Sequence, residues 1–139
     1  MSKITRFGVS LEDDLLKKFD SLIEKIGYSS RSEAIRDLIR NRLVEKEWEE
    51  ESTIIVGILG LTFDHEAREL TEKLTKIQHQ YIDAIVSSTH LHLDHHNCLE
   101  VILLKGESGL IKKIADELIS TRSVKHGNLL MMTTGSHLT

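Results

Sequence analysis

Ser87-Ser88-Thr89-His90-Leu91-His92-Leu93-Asp94-His95-His96-Asn97-Cys98-Leu99-Glu100-Val101 is the stretch that decides how this chain is read. Residues two apart on a β-strand point to one face, so His90 and His92 project together. Leu91 and Leu93 then take the opposite face, toward a core. Asp94-His95-His96-Asn97 is polar and turn-like. Cys98-Leu-Glu-Val-Ile-Leu-Leu-Lys105 reads as a returning strand. The hairpin so formed can set Cys98, the single cysteine of the chain, across from the two histidines. Two imidazoles and a thiolate on a rigid hairpin are most of a transition-metal site. A lone His-x-His means little, and the cysteine six residues further on is what gives the pattern weight. Glu100 shares the face of Cys98, either as a hydrogen-bond acceptor for a ligand imidazole or as a plain surface carboxylate. His95 and His96 are read as solvated turn residues, with His95 the nearer to the edge of the site.

Working outward, the flanking segments alternate in type. A strand is expected at about 53–63, a helix at 65–78, a strand at 82–93, the returning strand at 98–105, a helix at 108–121 and a strand at 124–132. This βαββαβ order makes a ferredoxin-like half, with helices on one face of an antiparallel sheet and the other face free for subunit pairing. The tail 133–139 is polar.

The N-terminal third differs. Arg6-Phe7-Gly8-Val9-Ser10-Leu11 alternates strictly and reads as a short strand with Arg6, Gly8 and Ser10 on its outer face. Apolar residues at 15, 16, 19, 22, 23 and 26 have helical spacing. Acids at 12–14 favour the start of that helix and Gly27 its end. Ser30 and Glu33 form a capping box opening a second helix over 31–47, with Ala34, Ile35, Leu38, Ile39, Leu43 and Val44 as its buried stripe. One strand and two helices in about 48 residues are too little to bury a core alone. A dimer pairing two such strands into a ribbon solves this, and β-ribbon readers lay their strands in the DNA major groove. Glu45-Lys-Glu-Trp-Glu-Glu-Glu51 is acidic and marks a boundary or hinge. The expected domains are thus 1–48 and 53–134 in an α+β chain.

Composition sets bounds on function. The 139 residues are 40% apolar but only 4% aromatic, so the core is aliphatic. Net charge is −4, which excludes a general nucleic-acid coat. Residues 1–48 carry 10 Lys+Arg against 9 Asp+Glu, and the remainder 8 against 13. Two segments with two tasks have this pattern. One cysteine excludes an internal disulfide framework and fits a reducing cytoplasm. No apolar run approaches the roughly 18 residues of a membrane span, and no signal peptide is read. A cytoplasmic protein with no membrane partner is expected.

With these residues in view, the chain resembles the nickel-responsive transcriptional regulators of the NikR family along nearly its whole length. The resemblance rests on Gly27-Tyr28, Arg31-Ser-Glu-Ala-Ile-Arg-Asp37, Gln78-His79, Thr89 to Glu100, Lys105-Gly106 and Val124-Lys-His-Gly127. It implies a ribbon-helix-helix DNA-binding domain followed by an ACT-type domain for nickel binding and oligomerisation. It implies a homotetramer, a dimer of dimers, and a palindromic double-stranded DNA operator of nickel-uptake genes, bound and repressed when Ni(II) occupies the tetramer core.

The resemblance also implies site residues. His90, His92 and Cys98 of one subunit and His79 of a neighbour would hold Ni(II); taken alone, His79 reads as a surface or capping histidine. Three neutral imidazoles and a thiolate suit a square-planar d⁸ ion, and Cu(II) should bind at least as tightly. DNA contacts carry over to Arg6, Gly8 and Ser10, with Lys3 and Arg31 adding charge near the phosphates. Gly8 departs from the polar residue of some members and has no side chain to read a base. A second, weaker cation such as K⁺ would take Glu33 and Asp37 with backbone carbonyls near Ile119, Thr121 and Val124; an ordinary pairing of those acids with Arg36 or Arg40 is the alternative. A basic loop that meets DNA in some members is only partly present, with Arg68 retained and Ala67 where a lysine can stand.

An enzyme is not expected. A catalytic metal keeps an open position beside a general base, and the sequence shows no nucleophile–base constellation. The remaining alternative is an ACT-type regulator that answers to a small molecule or another metal.

Overall fold

The computed structural model describes residues 2–138, which form two compact units. The first, up to Leu43, holds helix α1 (Asp13–Ile26) and most of helix α2 (Arg31–Glu49). The second, Val44–Ser136, holds strand β1 (Ile54–Asp64), helix α3 (Arg68–Gln80), strands β2 (Ile85–His92) and β3 (Asn97–Glu107), helix α4 (Ser108–Ile119) and strand β4 (Val124–Thr133).

In the first unit, α1 opens on Asp13 and Asp14, whose charges suit the positive end of the helix. It stops at Gly27, which takes φ 102° and donates its N–H to Ile23 and Glu24 carbonyls, a left-handed cap natural to glycine. Of the expected capping box of α2, one half forms. Glu33 N–H donates to Ser30 Oγ at 3.2 Å, but the Glu33 carboxylate accepts from Ser29 Oγ at 2.6 Å. Two expectations are corrected. Residues 6–11 form no strand, because a ribbon needs a second strand and a single chain offers none. The apolar stripes are largely uncovered too: Ile23 and Ala34 are buried, while Leu15, Leu22, Leu38 and Leu43 stand about half exposed.

In the second unit, four antiparallel strands lie in the order β2-β3-β1-β4. The split βαββαβ order puts β1 and β3 in the centre and both helices on one face. Alternation along β1 sends Ile55, Leu59, Leu61 and Phe63 into the core, where they meet Leu70, Leu74 and Ile77 of α3 and Ile111, Ile114 and Leu118 of α4. Close approach is built in at Gly127, where an added Cβ would stand 2.6 Å from Ile119 Cγ1. The other sheet face carries Val56, Ile58, Val101 and Leu130, with no helix over it. Leu91 and Leu93 are corrected here: they are about half exposed, not in the core. The face covered by helices is the histidine face.

Residues 45–51, read as a boundary or hinge, belong to the second unit, which begins at Val44. The α2 helix continues through them to Glu49, and Trp48 packs on the core. Lys112 Nζ donates to the Trp48 carbonyl (2.7 Å), Gly109 N–H to that of Glu51 (3.0 Å) and Ser108 Oγ to that of Glu50 (2.5 Å). β2 begins three residues later than expected because Ala84 N–H turns back onto the Tyr81 carbonyl at 2.9 Å.

Candidate metal centre

The register of β2 on β3 sets His92 opposite Cys98 and His90 opposite Glu100. Parity puts all four on one face, with Ser88, which pairs with Ile102. The loop between the strands is held by Asp94. Its carboxylate accepts from the N–H groups of His96 (2.8 Å) and Asn97 (2.7 Å) and from Asn97 Nδ2. Those hydrogen bonds, those from Asn97 first, pull the Asp94 carboxyl down to a pKa of about 2. Leu93 N–H closes the turn on the Asn97 carbonyl at 2.9 Å.

Glu100 is a buried carboxylate, 4% exposed, with three donors. His90 Nε2 lies 2.6 Å from its Oε2, Gln78 Nε2 donates to Oε1 at 2.9 Å and Ser88 Oγ donates to Oε2 at 3.2 Å. A buried carboxylate is tolerated only with partners of this kind. The pairing also fixes the imidazole: with Nε2 donating to Glu100, Nδ1 of His90 keeps the lone pair that a metal needs. Of the two readings of Glu100, the hydrogen-bond acceptor stands and the surface carboxylate falls. Gln78 and Ser88 were given no role by sequence reasoning. Both signals were present, since Ser88 shares parity with His90 and Gln78 lies four residues after Leu74 on the inward face of α3.

Cys98 is a free, buried thiol. Burial, then the charges of Glu100 and Asp64, push its pKa above the ordinary value. It is therefore an unreactive thiol until a cation replaces its proton. His92 packs edge-on against His65, with ring centroids 5.1 Å apart. His65 is another residue that sequence reasoning passed over. His79 lies in the last turn of α3 and is exposed. The donor set therefore fits a borderline divalent ion such as nickel: imidazole nitrogens and a shielded sulfur on one face, with a buried carboxylate orienting one ring.

The other expected sites are placed as follows. Lys3, Arg6, Gly8 and Ser10 are exposed. Arg31 is engaged by Asp20, its Nε and Nη2 donating to the two carboxylate oxygens at 2.8 and 2.7 Å. Glu33 and Asp37 border one small open hollow with Tyr28, Arg36 and Arg40. Asp37 accepts from Tyr28 Oη at 2.7 Å and pairs with Arg40 at 3.3 Å. Ile119, Thr121 and Val124 belong to the other unit, around the turn from α4 to β4. Arg68 pairs with Glu72 along α3 at 3.4 Å. Among the described residues no helix is long and apolar enough to cross a membrane.

Comparison with known proteins adds a family. The profile of the NikR C terminal nickel binding domain matches residues 56–132, and that of the ribbon-helix-helix proteins of the copG family matches residues 5–46. A protein of Thermococcus onnurineus is 53% identical over 136 residues, 98% of this chain and 99% of its own length. One of Caldanaerobacter subterraneus is 55% identical over 135 residues, 97% and 88% of the two chains. One of Solibacter usitatus is 54% identical over 138 residues, 99% of each. All three carry a provisional designation as nickel-responsive regulators.

Proposed function

Since the chain belongs to the NikR family of nickel-responsive regulators, and is a nickel-sensing transcription regulator rather than an enzyme, we propose that His90, His92 and Cys98, with His79 of a neighbouring subunit, are its nickel ligands. The observation that carries this is the β2–β3 register, which sets His92 against Cys98 and His90 against the buried Glu100. Bound Ni(II) would supply a cationic centre that strong nitrogen and sulfur donors stabilise. Glu100 holds the His90 ring in one tautomer, and the hydrophobic core behind Cys98 keeps water from the thiol. Gln78 joins Glu100 to the helix whose last turn holds His79, so the hairpin and that helix end share a hydrogen-bond network.

The exposed apolar surfaces support assembly. Residues 1–48 form the DNA-binding domain and 53–134 the nickel-binding, ACT-like one. The bare stripes of α1 and α2 pair in a ribbon-helix-helix dimer, and the helix-free sheet face joins dimers into a homotetramer. The strand missing from residues 6–11 forms in that dimer, with Lys3, Arg6, Gly8 and Ser10 toward a palindromic operator. Arg31 reaches a phosphate by leaving Asp20. Glu33 and Asp37, with carbonyls at Ile119, Thr121 and Val124, take a second cation such as K⁺. The protein works in the cytoplasm as a repressor of nickel-uptake genes.

An anaerobic Ni(II) titration of the apo protein, followed by absorption, tests the ligands. We expect a thiolate-to-nickel charge-transfer band saturating at one metal per chain and absent from Cys98→Ala. Binding unchanged in Cys98→Ala would remove the proposed site. The same two proteins in an operator-binding assay, with and without Ni(II), test the response.

A further inference from the structure

We propose that Asp64, Glu66 and His96 form a second divalent-cation site, separate from the four nickel ligands. One donor atom from each of the three lies within 4.8 Å of the other two. They come from two segments thirty residues apart: the turn that follows β1 and the loop between β2 and β3. The backbones of the two segments are pinned together, His65 N–H donating to the His96 carbonyl at 2.9 Å. Each donor is then positioned locally. Glu66 N–H donates to Asp64 Oδ1 at 2.9 Å, which bends the turn and brings the Glu66 carboxylate back beside Asp64. His96 is held through its N–H on Asp94 Oδ1, and its Nδ1 stands 3.2 Å from Glu66 Oε2.

The chemistry favours a particular ligand class. Two carboxylates and one imidazole suit first-row divalent ions such as Mn(II), Co(II), Ni(II) and Zn(II), and lack the thiolate or thioether that selects Cu(I). Donors bonded to one ion at about 2.0–2.2 Å stand roughly 3–4 Å apart, so the three must close in on the ion to bind it. Glu66 and His96 are exposed, which leaves coordination positions for water. The nearest basic side chain in sequence, Arg68, turns to Glu72 instead. A cation here would tie the turn after β1 to the loop that follows His92 and precedes Cys98. None of the three residues belongs to the nickel set, so the site does not rest on that assignment.

Equilibrium dialysis of the full-length protein against Ni(II), with absorption recorded on the same samples, tests it. Wild type should show two classes of bound nickel, the weaker one lost in His96→Ala and in the near-isosteric Glu66→Gln. Both variants should keep the charge-transfer band, which also certifies their fold, and His95→Ala should keep both classes. A single class in wild type, or a weaker class that survives both variants or depends on His95 instead, would overturn the site. If wild type lacks the band altogether, the nickel ligands are misassigned, while the dialysis difference between wild type and His96→Ala still decides this site.

Discussion

In the second unit Leu59, Leu61, Ile111, Ile114 and Leu118 are wholly buried, whereas in the first Leu22 and Leu38 remain 55% and 58% exposed. Each segment carries amphipathic helices, α1 in the first and α3 and α4 in the second. The difference is the sheet. Two helices laid on four strands close one core within a single chain, and two helices with no strand between them do not. The proposed metal centre thus sits on a scaffold that closes its core within one chain, while the first unit leaves most of its apolar stripe open.

The largest test of that contrast is Leu118→Ala against Leu38→Ala. Leu118→Ala should cost about 2–5 kcal/mol at any protein concentration, as a buried cavity does. In the proposed dimer Leu38 meets a second copy, so Leu38→Ala should have an effect that fades on dilution. Denaturation followed at two concentrations reads both. A concentration-independent loss in Leu38→Ala would mean that the first unit folds alone, and the contrast would break.

A smaller effect is expected at Glu100→Gln. The buried amide cannot accept all the donors that the carboxylate does, so nickel affinity should drop roughly 10–100-fold with the fold retained. A chelator-competition titration measures this, and an unchanged affinity would show that the ring of His90 is held by something else. Next comes pH. Cys98 must shed its proton to bind metal, and its pKa is raised by burial, Glu100 and Asp64. Apparent nickel affinity should therefore fall about tenfold per unit of decreasing pH for this one proton. The same shift acts oppositely on the apo protein. Stability from the neutral buried thiol is full below the ordinary value of 9.0 and is lost as pH rises through the raised one. Cys98→Ala should lack that alkaline loss in a thermal melt.

The smallest effect lies in the loop. Asp94 titrates at about 2, below its ordinary 3.8. The stability it adds is present above 3.8 and lost as pH falls through about 2. Asp94→Asn should flatten that acid limb, and unchanged acid melts would show that the loop is held by the strands alone.

Much of this was legible in the residues. Period-two parity gave the common face of His90, His92, Cys98 and Glu100, and helical spacing gave α1, α3 and α4. What parity could not supply was the side on which the helices lie. Leu91 and Leu93 were assigned to the core because leucine is apolar, yet burial depends on which face receives a helix. The acidic run 45–51 reads as a boundary or hinge because charge is a local signal, whereas its anchoring by Lys112, Ser108 and Gly109 comes from residues about sixty positions away. The strand read at 6–11 is absent from the single chain, which offers it no neighbour to pair with. His96 was legible only as a turn residue and Glu66 fell in a helix expected from 65, which in fact starts at Arg68; their meeting depends on the β1–β3 register.

The strand order has a further consequence. β2 has one neighbour, and its other edge is unpaired within the chain. The strand bearing two of the proposed ligands is thus one of the two edge strands, with β4, and its amides should exchange with solvent sooner than those of β1, which is paired on both sides. A ligand that spans from β2 to β3 would act as a rivet at an edge seam of the sheet. Occupancy would then be written in how often that seam opens, even where the average positions of the atoms scarcely change.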